Sequence, residues 1–308
     1  MKIKKLIFSL FFLLLATENL FAKALPPGTG IGDVPANVLI MLDKSGSMGW
    51  RMGGGTAAMR YPYDADADSN GDIIVSQYNR DGVKKFVYAS SSSDTGFGNS
   101  GVSGKGNSKY EGNSNCKTSY SYSGEVYNDV FYTTAYYERA VVAIRASDGQ
   151  CLRKYNLGFY PYNMSIDKST GYLYVGGYGR NYRTINLSNH NIQSCSVSNQ
   201  IAYSYGAKIS GNYLYTSHGN RIWRYTLKTD SAKCPDSGTS KNFYHPEGSY
   251  VGIEANPSNQ YELYTQSWSN SRIKKITVNS SGNGATTNWT KGSRSMSGSS
   301  ASKLYLYY

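Results

Sequence analysis

The hydrophobic positions of this chain come in short runs rather than in helical stretches. Runs rich in Tyr, Val, Leu and Ile alternate with turns rich in Gly, Asn, Asp and Ser. β-Branched and aromatic residues suit a pleated sheet, and Gly, Asn and Asp suit tight turns. One apolar run returns six times, centred on a residue that we call the anchor: Ile74, Tyr132, Tyr174, Tyr215, Tyr264 and Tyr305. This pattern predicts a mainly β protein built from repeats.

The spacing of the anchors predicts the architecture. They recur at steps of 41 to 58 residues, and a second apolar run, usually opened by a basic residue, follows each of the first five at 83–86, 139–144, 183–187, 221–224 and 272–276. Units of about 40–45 residues that hold four short strands are propeller blades. A single blade cannot bury both faces, whereas blades packed around an axis can.

Over residues 60–308 the repeats, in which a Leu/Ile-Tyr-Val strand is followed by an Asn-Arg-Ile strand, resemble NHL-type and YVTN-type β-propellers. We predict about five blades and a truncated sixth that begins at Leu304-Tyr305. A propeller closes with whole blades, typically four to eight, so the chain is expected to be a fragment. The first step is long because of a Ser/Gly/Asn-rich insertion at 89–126, which is expected to form a flexible surface loop.

The first residues have the layout of a secretory signal peptide. Lys2, Lys4 and Lys5 precede an apolar run at 6–15, and a small-residue cleavage motif ends at Ala24. The alternative is a membrane anchor, but a spanning helix needs about 20 apolar residues. We predict that residues 1–24 are a signal peptide and that the protein is exported to the periplasm, cell surface or medium. No transmembrane segment is expected after its removal.

The net charge and the cysteine content say less about function than the repeats do. The net charge is +12, which would suit anionic glycans, lipid head groups or extracellular DNA, but the basic residues are dispersed and favour a general solubility role. No specific nucleic-acid partner is predicted.

The four cysteines, an even number in an exported chain, suggest disulfides. Cys151, Cys195 and Cys234 occupy equivalent outer places on successive blades, which are expected to lie too far apart to be bridged, so the pairing stays open.

A metal-binding motif precedes the repeats. The apolar run 38–42 suits a strand buried on both faces, and Asp43, Ser45 and Ser47 follow it directly. This D-x-S-x-S motif resembles the first strand and metal loop of von Willebrand factor A domains, so residues 25–59 are predicted as a leader and the start of such an α/β domain. The resemblance implies that these three side chains help to hold Mg²⁺. It covers only residues 37–48, so either the propeller is inserted in that domain, which we favour, or the motif is a bare turn.

A second acidic motif suggests Ca²⁺ more weakly. Asp66, Asp68, Asn70 and Asp72 match the front half of an EF-hand loop, with Gly at the sixth place. The twelfth place is Gln77 instead of the bidentate Glu that such a loop needs. Asp, Asn and Gly are also favoured in hairpin turns, and we favour the hairpin.

Catalytic motifs are scarce. The three histidines, His190, His218 and His245, fall at unlike places in the repeats, and no nucleophile elbow, zinc-protease or phosphate-loop motif occurs. The many Tyr and Arg side chains could stack on sugars or bases, but recurrence at the anchors predicts core packing. We therefore predict that the protein is not an enzyme.

The metal loop and propeller together resemble bacterial type IV pilus-tip adhesins. The predicted function is an exported surface adhesion protein that binds a protein or glycan ligand, with pilus components as further partners. The alternatives are a secreted propeller lyase or hydrolase, which would need a catalytic cluster near the axis, and a scaffold that binds no metal.

Overall fold

The large unit of the chain carries the propeller. The computed structural model describes residues 38–41, 62–77, 82–87, 92–104, 116–178, 181–197, 204, 206–230, 232–245, 251–267, 273–291 and 304–307. Its contacts divide the chain into a large unit, 39–306, and a small unit of 1–38 with 307–308. The predicted signal peptide and the predicted metal ligands Asp43, Ser45 and Ser47 lie outside the described residues.

In the described residues, all of the regular secondary structure consists of β-strands. After β1 (Val38–Met41) come five four-stranded antiparallel sheets, or blades, each of which uses four consecutive strands. Blade 1 contains β2 (Pro62–Ala67), β3 (Ile73–Gln77), β4 (Val83–Val87) and β5 (Ser92–Ser93); blade 2 contains β6 (Gly124–Tyr127), β7 (Val130–Ala135), β8 (Ala140–Arg145) and β9 (Cys151–Asn156); blade 3 contains β10 (Pro161–Asp167), β11 (Tyr172–Gly177), β12 (Asn181–Asn186) and β13 (Ile192–Ser194). Blade 4 contains β14 (Gly206–Ser210), β15 (Tyr213–His218), β16 (Arg221–Leu227) and β17 (Pro235–Tyr244); blade 5 contains β18 (Val251–Asn256), β19 (Asn259–Ser267), β20 (Ile273–Val278) and β21 (Ala285–Lys291).

The predicted mainly β, propeller-type fold is confirmed. The first five anchors all lie on the second strand of a blade, and the basic-led second runs fall on the third strands. The first strands of the blades are innermost, since β2, β6, β10, β14 and β18 lie beside one another in that order. The run at 38–42 includes a strand, as expected, but its von Willebrand identity stays a prediction.

The predicted sixth blade is wrong. The last strand, β22 (Leu304–Tyr307), pairs with β1 in a separate two-stranded sheet and so does not open another blade. Its Leu-Tyr-Leu-Tyr sequence alternates as an anchor strand does, but alternation specifies only which side chains share a face. The pairing partner is decided by the rest of the fold.

Apolar cores fill the spaces between successive blades. Ile74 of blade 1 packs with Phe131 of blade 2, and Tyr132 of blade 2 packs with Met164 of blade 3. Similar clusters join blades 3 and 4 and blades 4 and 5. Tyr132, Tyr174, Tyr215 and Tyr264 are all buried, so the core role predicted for the anchor tyrosines is confirmed.

The insertion is more ordered than predicted where the structure describes it, at 92–104 and 116–126. It supplies β5, the outer strand of blade 1, and its Phe97 and Cys116 side chains are fully buried between blades 1 and 2. The Gly98 N–H donates to the Asp148 carbonyl of blade 2 at 2.7 Å. A polar composition indicated a loose loop, but one buried aromatic ring and one cysteine are enough to hold these parts against the blades.

One disulfide ties the insertion to blade 2, and the other bridges blades 3 and 4. Cys116 pairs with Cys151, and Cys195 pairs with Cys234, with Cα atoms 6.0 and 5.6 Å apart. The expectation that equivalent outer cysteines lie too far apart is therefore wrong for Cys195 and Cys234. Cys195 follows the outer strand of blade 3, whereas Cys234 precedes the outer strand of blade 4. This offset along the strands brings the two cysteines together across the blade interface.

Candidate binding face and central ring

Five residues at one position of the inner strands form what we call the central ring. Each lies directly opposite an anchor in the sheet register: Asp66, Glu125, Ser165, Lys208 and Glu254. Paired residues in an antiparallel sheet share a face, so the ring residues of blades 1 to 4 lie on the face toward the following blade, as the anchors of those blades do. One position therefore repeats in all five blades but carries different chemistry in each.

The ring links successive blades by hydrogen bonds to backbone. Asp66 Oδ2 accepts from the Val126 N–H at 2.8 Å, and Glu125 Oε2 accepts from the Ile166 N–H at 2.9 Å. Ser165 Oγ accepts from the Ile209 N–H at 3.0 Å. In each case the donor follows the ring residue of the next blade. These bonds satisfy buried inner-strand N–H groups that have no ladder partner on the axial side.

Lys208 pairs with two of the three acidic residues of the ring. Its Nζ lies 3.2 Å from Glu125 Oε1 and 3.0 Å from Glu254 Oε1, although Glu125 belongs to blade 2 and Lys208 to blade 4. Burial alone would lower the pKa of Lys208, but Glu125, Glu254 and Asp66 outweigh burial and raise it above its ordinary value. Burial raises the pKa of Glu254, and Lys208 opposes that rise. The ring thus holds one lysine among three acidic side chains.

The acidic turn for which the sequence analysis proposed Ca²⁺ binding is a β2–β3 hairpin turn, and its carboxylates pair with a lysine. Asp68 Oδ1 accepts from the N–H groups of Asn70 and Asp72 at 2.9 and 3.0 Å. The Lys85 ammonium lies 2.7 Å from Asp68 Oδ2 and 3.1 Å from Asp72 Oδ2, and both side chains of the first pair are buried. Burial would lower the pKa of Lys85, but the hydrogen bonds to Asp68 and Asp72 raise it.

Three of the four predicted Ca²⁺ ligands, Asp66, Asp68 and Asp72, already have other partners. The Asp66 carboxylate accepts hydrogen bonds in the central ring, while Asp68 and Asp72 bind Lys85. Calcium at this turn stays a prediction, and it would require displacement of the Lys85 ammonium. Within the described ranges, no three His, Cys, Asp or Glu side chains are grouped so as to hold a metal ion.

The propeller end at which the inner strands begin carries aromatic residues. We call it the linker face, because linkers between blades and turns between second and third strands form it. Seven tyrosines of blades 1 to 3 meet there as the tyrosine cluster: Tyr63, Tyr120, Tyr122, Tyr136, Tyr137, Tyr160 and Tyr162. Neighbouring ring centroids lie 4.6 to 5.3 Å apart, mostly edge to face, a spacing at which aromatic pairs attract.

The tyrosine cluster is buried at one end and exposed at the other. Tyr63 is buried on β2, the inner strand of blade 1, and contacts Tyr122, whereas Tyr137 is 55% exposed at the tip of the β7–β8 turn. The Arg139 guanidinium lies 4.6 Å from the centre of the Tyr160 ring, and its Nη2 donates to the Tyr160 hydroxyl at 2.8 Å. Exposed aromatic rings beside an arginine are typical of binding surfaces.

Sequence reasoning missed this face. It treated the abundant tyrosines as one population, whereas the anchors are buried core and the tyrosines of the cluster, apart from Tyr63, are half-buried or exposed. A second register was present: pairs of Tyr one residue apart recur at 61/63, 120/122, 160/162 and 203/205. Their constant place, five and three residues before the ring position, separates them from the anchors.

The histidines are in separate contacts. The His190 ring hydrogen-bonds to the Tyr155 hydroxyl at 2.9 Å, and buried His245 bonds to Thr265 Oγ1 at 2.9 Å. His218 ends β15. In the part of the chain that the structure describes, no helix is long and apolar enough to cross a membrane.

Comparison with known proteins supports the fold alone. No family model and no curated protein matches the chain. A solved structure of a nidogen/laminin complex is 10% identical with a TM-score of 0.58 and covers 80% of this chain and 85% of that chain. Streptogramin B lyase is 13% identical with a TM-score of 0.54, covering 82% and 72%; hydrazine synthase of Kuenenia stuttgartiensis is 11% identical with a TM-score of 0.51, covering 73% and 67%. The chain thus has the five-bladed β-propeller fold, with structural neighbours like the NHL-type and YVTN-type propellers.

Proposed function

We propose that this is an exported, non-enzymatic surface protein that binds a protein or glycan partner through the linker face of its propeller. The exposed part of the tyrosine cluster, Tyr137 beside Arg139 and Tyr160, carries the proposal. Large aromatic side chains lose little conformational entropy when they are fixed by a ligand, and they are enriched with Arg where binding energy concentrates. A rigid blade edge supports them from below.

Export is supported by the N-terminal pattern and by the disulfides. One bridge that ties the insertion to blade 2 and one that ties blades 3 and 4 suit an oxidising compartment and would not persist in a reducing cytosol. At the linker face, Glu138 is already paired with Lys154, at 3.5 Å. The three histidines lie at separate places in the blades instead of in one catalytic cluster, and this separation supports a binding role.

The metal loop belongs to the same proposal on sequence grounds. Asp43, Ser45 and Ser47 would hold Mg²⁺ at a second contact with the partner, in the manner that the resemblance to pilus-tip adhesins implies. Chelation should then weaken adhesion without unfolding the propeller. Asp43→Ala should abolish the response to Mg²⁺, and Asp43→Asn is the size-matched control for loss of charge.

Adhesion of producing cells or protein-coated beads to target cells tests the proposal. Tyr137→Ala should reduce adhesion at least tenfold, the scale of a binding hot spot. Ile192→Ala removes an apolar side chain that is 40% exposed on blade 3, at the opposite end of the propeller, and should leave adhesion unchanged. Equal adhesion by both variants and wild type would remove the linker face from the proposal. Wild-type protein that binds no cell type, yet turns over a substrate, would replace it with an enzyme.

A further inference from the structure

We infer that the linker face binds an acidic polysaccharide, with tyrosines contacting the sugar rings and Arg139 pairing with a carboxylate or sulfate. This inference rests on the proposed function and names the ligand class of the same face. It draws on the backbone of Arg139, on the local charge balance and on the packing of the tyrosine cluster.

Arg139 is held in a conformation that favours glycine. Its φ is +50°, in the left-handed region where a side chain costs about 1 kcal/mol or more. Arg139 directly precedes the third strand of blade 2, and the residue that precedes the third strand of blade 1 is Gly82, with φ +74°. Blade 2 therefore carries an arginine where a glycine would be more comfortable. The backbone of this exposed turn therefore does not require the arginine, since glycine adopts the same conformation more readily.

The charge of Arg139 is left for a ligand. Its recorded partner is Tyr160, through the ring face and the hydroxyl, and no carboxylate in the described ranges pairs with it. The adjacent Glu138 instead binds Lys154 and accepts from Ser119 Oγ at 3.3 Å. A guanidinium on a tyrosine face retains N–H donors that match a carboxylate or sulfate. Without the predicted signal peptide at 1–24, the chain still carries +9, which adds attraction for a polyanion.

The tyrosine packing favours sugars over nucleic-acid bases. Stacked bases need successive ring faces that lie parallel and open. In the cluster only Tyr136 and Tyr160 are stacked, at 29°, while Tyr120–Tyr137 and Tyr136–Tyr137 meet at 84° and 85°. Neighbouring edges thus cover many faces, and the surface presents a mixture of ring edges, faces and hydroxyls. That mixture suits the C–H and O–H groups of sugars.

A polymer fits better than a single sugar because the signals repeat around the axis. By sequence, Tyr pairs stand five and three residues before the ring position of four blades, and an arginine stands at or within three residues of the start of the second apolar run in every blade, at positions 80, 139, 180, 221 and 272. Equivalent positions on blades are spaced around one face. An extended chain with regularly placed anionic groups can engage several blades at once, which raises avidity.

The test uses the full chain with pairs of oligosaccharides that differ only in charge. Hexamers of a uronic acid and their fully methyl-esterified forms are titrated by calorimetry, beside a sulfated hexamer and single-stranded DNA. The inference predicts binding to an acidic form, on the order of tenfold weaker for its neutral form, and weaker again as salt rises. Tyr137→Ala should lower affinity at least tenfold.

Arg139→Gly separates recognition from folding. Glycine suits φ +50°, so the variant should melt at or above the wild-type temperature while acidic-hexamer affinity falls on the order of tenfold. Arg153→Ala removes an exposed charge from the outer strand of the same blade and should change affinity less than twofold. Loss of stability together with affinity in Arg139→Gly would mean that Arg139 is structural and would overturn the assignment.

The outcomes distinguish this inference from the function on which it rests. Equal binding of charged and neutral hexamers, or tighter binding of DNA than of any glycan, overturns the acidic-glycan assignment but leaves a binding face. If no glycan binds while Tyr137→Ala still weakens cell adhesion, the ligand is of another class and the proposed function stands. If Tyr137→Ala changes neither readout, both fail.

Discussion

Replacement of Lys208 by Met should destabilise the propeller by leaving two buried carboxylates without their cation. The Glu125 side chain is fully buried and the Glu254 side chain is 9% exposed, and both lie within 3.2 Å of Lys208 Nζ. At an effective dielectric constant of about 20, each attraction is worth roughly 5 kcal/mol before desolvation. Removal of one partner of a buried ion pair typically costs about 3–5 kcal/mol net. We expect a loss in that range at pH 7, because Met fills the space but carries no charge.

The loss should depend on pH in a defined direction. Burial already raises the pKa of Glu254, and Lys208 opposes the rise, so the variant should raise that pKa further. A carboxyl whose pKa is higher in the folded than in the unfolded protein takes up a proton preferentially on folding. The deficit should therefore be largest at neutral pH and shrink as pH falls toward 4.5, the ordinary pKa of a glutamate.

Urea unfolding followed by tryptophan fluorescence, at pH 5 and pH 7, measures both effects. Lys208→Met/Glu254→Gln is the matched variant, since it removes one of the orphaned charges and should recover about 1–2 kcal/mol of the single-variant loss. A Lys208→Met protein within about 0.5 kcal/mol of wild type at pH 7 would refute the reasoning. A deficit of equal size at both pH values would do the same.

Three further predictions concern other parts of the propeller. Lys85→Met should lower the free energy of unfolding by about 3 kcal/mol, because buried Asp68 loses its ion pair; urea titration at pH 7 should show a near-wild-type midpoint if this is wrong. Replacement of Cys195 and Cys234 by Ala together removes a cross-link over 39 residues, worth roughly 4 kcal/mol in a loop-entropy estimate; an unchanged melting temperature would show that the bridge does not constrain the unfolded chain. Tyr182→Phe should leave stability within about 1 kcal/mol or raise it, since in the described part of the chain the buried Tyr182 hydroxyl has no hydrogen-bond partner; a loss above about 2 kcal/mol would reveal a bound water.

The blade repeat was readable because each blade buries the same strand. Anchors such as Tyr132 and Tyr174 must fill the gap to a neighbouring blade, so their apolar character persists at regular spacing. The prediction of a truncated sixth blade was wrong because the sequence of β22 has the same alternation as an anchor strand, yet the strand forms its hydrogen bonds with β1. Local sequence reports which side chains share a face and leaves the strand partner open.

Sequence could not predict contacts that depend on the offset between blades. The Cys195–Cys234 bridge exists because one cysteine follows an outer strand and the other precedes one. Lys208 meets Glu125 across the axis, although 83 residues separate them. The composition of the insertion likewise concealed the burial of Phe97.

The candidate face was present in the sequence as a second repeat. Tyr120 and Tyr122 stand at a fixed distance before the ring residue Glu125, as Tyr160 and Tyr162 do before Ser165. Only the folded arrangement shows that these tyrosines gather at one end, away from the buried anchors. The exposure of Tyr137 depends on a turn that carries no binding motif of its own.

Hydroxyl-radical footprinting of exposed side chains tests most directly whether the linker face is the binding face. The full chain is oxidised briefly, with and without the hexamer that it binds most tightly, and the modified side chains are quantified by mass spectrometry. Tyr137 is 55% exposed at the linker face and Ile192 is 40% exposed at the opposite end of the propeller, so both should be modified in the free protein. The ligand should protect Tyr137 severalfold and leave Ile192 unchanged. Protection of Ile192 with continued modification of Tyr137 would contradict the account and place binding elsewhere on the molecule.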